Sequence, residues 1–288
     1  MSTEPTSTPP PVAGYAAPQG FVPQPRDASS TGAGAPLLEV RGLGRSFGGL
    51  RAVDGVSLTI AGGEVFGLIG PNGAGKTTLI NLITGLLRPE AGRVRFGGQD
   101  ITGWPAHLVA AQGLARTYQH VRLFPAMTAL ENVLTGQHSR RHAPYWRRLL
   151  MLPSAAREEA VARQRAAAVL GELGLADLAD VTAGALAYGD RRRLEIARAL
   201  AAEPRLLLLD EPAAGMGHAE AGHLIEFIRS LPGRGQTVLL VEHNMRVVME
   251  ACHRIGVLNF GQLIADGTPA QIRANPDVIE AYLGRDEG

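Results

Sequence analysis

Residues 37–47 (LLEVRGLGRSF) and 52–60 (AVDGVSLTI) alternate apolar and polar positions with turn glycines between them, the period of half-buried antiparallel strands. They predict a small β-lobe. A buried strand is expected over residues 64–69 (EVFGLI), then a helix over 77–87 (TTLINLITGLL) closed by Arg88 and Pro89. After it come a strand at 93–96 (RVRF), a helix opening at Pro105, and a strand at 114–119 (LARTYQ) ending in a polar residue. From Thr128 to about Ala185 the apolar period becomes 3.6, through LENVL and REEAVARQRAAAVLGELGLADL. Uninterrupted apolar runs at 206–209 and 237–241, each between helices, predict a parallel sheet wound on both faces. The fold class is therefore α/β, and no internal repeat is visible.

Composition sets the limits of that domain. Eight of the 19 prolines fall in residues 1–36, among Ser, Thr, Ala, Gly and Gln, so this stretch reads as a disordered tail. It is not a secretory signal, because no basic residue precedes Arg26 and no apolar run follows the initiator. The remainder, 37–284, is long enough to bury a substantial core, with a helical lobe over about 120–190 and a short tail at 285–288. No apolar segment approaches the roughly 18 residues needed to cross a bilayer. Cys252 is the sole cysteine, which excludes an internal disulfide and fits a reducing compartment. A net charge of +1 gives no global nucleic-acid footprint.

Of 28 basic residues only Lys76 is a lysine, and it stands inside GPNGAGKTT at residues 70–78. Arginine everywhere else and lysine here point to a position that needs a compact ammonium on a slim stem. The GxxxxGK[ST] pattern between a strand and a helix is a phosphate-binding loop, whose glycines let successive backbone N–H groups face an anion at a helix start. In that reading Gly70, Pro71, Asn72, Gly73, Ala74, Gly75, Lys76, Thr77 and Thr78 hold ATP, Lys76 reaches the β- and γ-phosphates, and the Thr77 hydroxyl ligates Mg²⁺. LLLLDEP at 206–212 then delivers Asp210 and Glu211 at the carboxyl end of an apolar strand, where open α/β sheets bind ligands. Asp210 suits the Mg²⁺ shell, and Glu211 is placed to act as general base on the attacking water. His243, after TVLLVE, and Gln119, after LARTY, are not assigned by position alone. A histidine at a strand end is more often structural.

Taken together these residues resemble the nucleotide-binding subunits of ABC transporters. The order matches: phosphate loop at 70–78, Q-loop Gln119, signature segment LAYGD at 186–190, Walker B Asp210, catalytic Glu211 and switch histidine His243. Phe47 falls where that family stacks an aromatic on adenine. The resemblance implies a P-loop, RecA-like core with an antiparallel β-lobe and an inserted helical lobe, and it adds Gln119 to Thr77 and Asp210 around Mg²⁺. ARTYQHVRLFPAMTALENV, LAYGDRRRLEIARAL, DEPAAGM, VEHNM and the ending GTPAQIRANPDVIEAYLG look, more narrowly, like the ATP-binding subunit of branched-chain amino acid importers. That resemblance implies a second ABC ATPase subunit, a sister chain or a copy, whose phosphate loop faces Ala187, Tyr188 and Gly189 of this chain across a head-to-tail pair. It further implies two transmembrane permease subunits, an extracytoplasmic binding protein that delivers cargo, a place on the cytoplasmic face of the membrane, and no nucleic-acid partner.

Two segments, the signature and the D-loop, depart from the family. The signature is LSGGQ in general and LAYGD here, so Ala187 offers no hydroxyl and Asp190 adds a negative charge that Arg191, Arg192 and Arg193 are placed to offset. Gly217 replaces the usual Asp or Asn of the D-loop, and the pair of changes predicts weaker hydrolysis of the ATP facing this signature. Residues 139–150 (SRRHAPYWRRLL) suggest contact with anionic lipid or permease loops, or equally a solvated connection. His138 and His142 have zinc-ligand spacing, but Arg140 and Arg141 between them argue against a metal. A GTPase is excluded for want of the second lysine of an Asn-Lys-x-Asp loop. Rival readings are a soluble ABC ATPase acting on ribosomes or DNA, which usually carries tandem units or a long coiled coil, and an ABC subunit for urea, lipid or lipopolysaccharide.

Overall fold

A computed structural model describes residues 36–119, 121–137 and 153–283. The proline-rich tail before them, the 139–150 segment, His138, His142 and the tail at 285–288 lie outside the described residues.

Two sheets form the frame. The β-lobe is an antiparallel sheet of β1 (Pro36–Phe47), β2 (Leu50–Ala61), β4 (Ala91–Phe96) and β5 (Gln99–Asp100), in the order β2-β1-β4-β5. The central sheet has the order β10-β9-β3-β8-β7-β6 and comprises β3 (Val65–Ile69), β6 (Leu114–Arg116), β7 (Leu206–Asp210), β8 (Thr237–Val241), β9 (Arg254–Asn259) and β10 (Gln262–Gly267). Five of these run parallel, and only β10 is antiparallel, to β9. Burial explains the uninterrupted apolar runs. Leu206 and Leu208 of β7 pack with Phe66, Leu68 and the β-lobe, while Leu207 and Leu209 face a second core shared with the helices. A strand covered on both faces has no polar side to alternate.

The β-lobe core also takes α1 (Lys76–Ile83) and α2 (Ala106–Ala111). The second core takes α3 (Ala129–Gly136), α4 (Pro153–Glu172), α5 (Tyr188–Leu200), α6 (His218–Ser230) and α7 (Met245–Ala251), followed in the chain by α8 (Pro269–Ala274) and α9 (Pro276–Leu283). In the helical lobe α3 opens on a capping box, Thr128 accepting from the Glu131 N–H and Glu131 from the Thr128 N–H. The apolar stripe of α4 is core, with Ala162, Ala166 and Leu170 buried.

Two expectations are corrected. The helix after the phosphate loop stops at Ile83, not Leu87, because Gly85 adopts φ 73° and the Leu86 N–H turns back to the Asn81 carbonyl, a glycine-terminated cap. The strand expected over 114–119 keeps only Leu114–Arg116, since beyond the Thr117 N–H bond to the Leu208 carbonyl the chain is captured by α5. Cys252 is a free, buried thiol under β3, and burial, with the Glu242 charge second, pushes its pKa up to about 12.

Candidate nucleotide site

The phosphate loop joins β3 to α1, with Lys76 and Thr77 as the first two helical residues. Two of its glycines are required by close approach. A Cβ on Gly70 would lie 2.1 Å from the Leu258 carbonyl oxygen, and one on Gly75 would lie 2.2 Å from that of Ala52. Both also have positive φ, 152° and 98°. The Gly261 N–H at the β9–β10 turn donates to the Ala74 carbonyl at 2.9 Å, so neighbouring strands clamp the loop. Lys76 Nζ donates to the carbonyls of Gly70 (2.6 Å) and Pro71 (3.0 Å), which draws the ammonium across the mouth of the loop. Phe47 ends β1 with 45% of its surface exposed and the Arg45 guanidinium 5.2 Å from its ring centre.

Opposite the loop, the carboxyl ends of β6, β7 and β8 bring three predicted residues together. Gln119 Nε2 donates to Glu211 Oε2 at 3.3 Å, and His243 Nδ1 stands 3.6 Å from Glu211 Oε1. These contacts span 92 and 32 positions of sequence. Glu211 has φ 49°, a left-handed conformation rare for a residue with a side chain, held by its N–H bond of 2.8 Å to the Val241 carbonyl. Asp210, the last residue of β7, is buried and pairs through Oδ2 with Arg116 Nη2 at 2.8 Å, while Arg116 Nη1 reaches Asn81 of α1 at 2.6 Å. Asp210 Oδ1 is in none of these bonds. That donor chemistry fits Mg²⁺, which keeps waters and takes one or two carboxylates plus phosphate oxygens. Among the described residues no group of three His, Cys, Asp or Glu side chains forms a metal cluster.

The signature segment lies on the helical lobe. Ala187 is the N-cap of α5, Tyr188 is half-exposed, and Gly189 is buried against Glu220. Asp190 pairs with Arg193 alone of its three adjoining arginines. Arg191 donates to the Leu186 carbonyl at 2.8 Å. Gly217 is the N-cap of α6, its N–H held by Glu220 at 3.0 Å.

Sequence reasoning passed over three residues and gave a fourth, Arg192, a different role. Arg192 donates to the Tyr118 carbonyl at 2.9 Å and to the Gln119 carbonyl, and Glu195 accepts from the N–H groups of Tyr118 (3.3 Å) and Arg122 (3.4 Å). The two side chains, 3% and 2% exposed and 3.6 Å apart, clamp the Q-loop backbone to the signature helix. Burial raises the Glu195 pKa against those bonds and the Arg192 charge. The other two are Arg116 and Glu242. The signal available was charge on the inward face of α5 and acids or bases at strand ends, features that a sequence does not separate from solvated ones.

A cleft of 430 Å³ opens beside the Q-loop, lined by Leu86, Val109, Tyr118, Phe124, Glu195 and Arg198 among others.

The family model described as ABC transporter matches residues 53–214, more than half of the chain. The chain belongs to the ATP-binding subunits of ABC transporters. A model described as branched-chain amino acid ATP-binding cassette transporter matches residues 262–288. The high-affinity branched-chain amino acid transport ATP-binding protein BraF of Pseudomonas aeruginosa is 49% identical over 250 residues, 86% of this chain and 98% of that protein. Its Escherichia coli K12 counterpart LivG is 48% identical over the same length and shares. The crystal structure of a nucleotide-free ATP-binding cassette from an ABC transporter superposes with TM-score 0.75 at 34% identity, covering 87% of this chain and all of that one. Within the family the chain sits in the branched-chain amino acid importer group, and it is an ABC-type ATPase.

Proposed function

We propose that this subunit drives uptake of branched-chain amino acids, with Glu211 as general base at an ATP held by Lys76. The observation that carries the chemistry is the meeting of Gln119, Glu211 and His243 at one sheet edge, across from the phosphate loop. A carboxylate there accepts the proton of water as the water oxygen bonds to the γ-phosphorus and the bridging bond to ADP breaks. Gln119 holds that carboxylate from one side, and His243 stands ready to contact the γ-phosphate. Asp210, Thr77 and Gln119 would hold Mg²⁺, which supplies charge neutralisation at the β- and γ-oxygens. Lys76 leaves its two carbonyls for the phosphates. Phe47, exposed at the end of β1, offers a face to adenine.

The exposed start of α5 is set to meet a second ATPase subunit, so the γ-phosphate joins two chains and its loss reopens them. Two permease subunits belong to the assembly, one of them docking over this chain's cleft, whose lining includes Tyr118 and Phe124 beside the Q-loop. No helix among the described residues is long and apolar enough to cross a membrane. In this reading the subunit works at the cytoplasmic face through these partners, with an extracytoplasmic binding protein presenting cargo to the permeases, as the likeness to branched-chain amino acid transport ATP-binding proteins suggests. The match of the C-terminal segment 262–288 supports the cargo. Reconstituted with its permeases, the full chain should raise ATP turnover when leucine, isoleucine or valine is supplied with the binding protein. Stimulation confined to urea or a lipopolysaccharide lipid would overturn the cargo reading.

A further inference from the structure

Glu242 carries a carboxylate that the chemistry above does not use. Its side chain is fully buried, and its only ion-pair neighbour among the described residues is His243 Nδ1 at 3.9 Å. Burying a carboxylate is costly unless several donors hold it. Here three backbone N–H groups do so. Oε1 accepts from Ala213 at 2.8 Å, and Oε2 accepts from His243 at 3.1 Å and Asn244 at 3.2 Å.

The division of those bonds is informative. Ala213 lies two residues after Glu211, on the turn whose left-handed backbone (φ 49° at Glu211) is otherwise tied to the sheet by the Glu211 N–H bond to Val241. His243 and Asn244 belong to the turn that ends β8 and caps α7. One oxygen therefore holds the turn bearing Glu211, and the other holds the turn bearing His243. The Val241 carbonyl and the Glu242 carboxylate thus both hold the turn of Glu211, whose side chain stands 3.6 Å from that of His243.

We propose that Glu242 is a positioning residue for hydrolysis, whose carboxylate ties the Glu211 turn to the His243 turn so that the two move as one unit. The inference rests on the reading that Glu211 and His243 act at the γ-phosphate. A neutral amide of the same shape has a single acceptor oxygen, so in Glu242→Gln the NH₂ group must confront either the Ala213 N–H or the His243 and Asn244 pair.

The test compares Glu242→Gln, His243→Ala, Glu211→Gln and the double variant Glu242→Gln/His243→Ala in the full chain, measuring kcat, KM and binding of a fluorescent ATP analogue. Glu242→Gln is expected to lower kcat roughly tenfold or more with KM and nucleotide affinity within about twofold of the parent. In the His243→Ala background the same change should cost much less, because the separation it protects no longer matters. An unchanged kcat in Glu242→Gln, or losses that simply multiply in the double variant, would show a carboxylate that only stabilises the fold and would overturn the proposal. Turnover that survives both Glu211→Gln and His243→Ala would instead sink the reading of the site itself, and the positioning role with it. Should Glu242→Gln fail to fold, Glu242→Asp keeps both acceptors on a shorter arm. It is expected to lose several-fold in kcat at constant nucleotide affinity, and full retention of kcat would count against the idea.

Discussion

The phosphate loop and the cluster at Glu211 are two halves of one site made in opposite ways. The loop is nine consecutive residues, and its chemistry is backbone N–H groups plus one ammonium already folded onto two of its own carbonyls. The cluster is three side chains from three strand ends, held by bonds that reach across the sheet and into α5. A locally encoded half binds. A half assembled by topology acts, and it depends on supports far away in sequence.

Lys76→Ala tests the binding half and has the largest expected effect. Charge-assisted hydrogen bonds contribute about 1.5–3 kcal/mol each, so ATP affinity should fall on the order of 100-fold or more, read by isothermal titration. If affinity is unchanged, the ammonium is structural and the contrast between the halves fails. Glu211→Gln separates them: turnover should drop by roughly 10²–10⁴ while ATP binding persists, measured by phosphate release alongside nucleotide retention.

Arg192→Met probes the distant support. Removing one member of a buried pair leaves Glu195 uncompensated, at a cost of about 3 kcal/mol. Calorimetry should show Tm lower by roughly 6–12 °C in a domain of this size, with turnover reduced as the Q-loop loosens. Wild-type turnover in the folded variant would make the clamp irrelevant to Gln119. Smallest is the pH effect at Glu195. Its pKa is raised by burial, so the folded state binds the proton more tightly than the unfolded one. Stability is therefore greatest below the ordinary carboxylate pKa and declines as pH rises through the raised value. Glu195→Gln should remove that decline, read as the loss of the Tm difference between acidic and neutral melts.

How much of this the sequence revealed follows the same division. The phosphate loop, the apolar strands at β7 and β8 and the β-lobe were legible because each is encoded by neighbours: a motif, a run, an alternation. Asp210 and Glu211 were legible as a strand end. Gln119 and His243 acquired meaning only through the order of motifs, since nothing local says that 92 and 32 residues of chain fold to bring them to one carboxylate. Arg192 looked like one of three cations set against Asp190, yet helical periodicity turned it inward to the Q-loop and left the pairing to Arg193. The end of α1 was misjudged for a similar reason. Leu86 and Leu87 continue the apolar pattern, and only the backbone at Gly85 reveals that the helix has already stopped.

Cys252 has a practical consequence. Its thiol is only 7% exposed, and with a pKa near 12 almost none of it is the reactive anion at neutral pH. The native thiol should therefore react only slowly with maleimides, which a labelling time course would check. A cysteine placed at Phe260, 75% exposed, could take a spin label or fluorophore without first removing the native thiol. Opening and closing between subunits could then be timed in an otherwise unaltered chain.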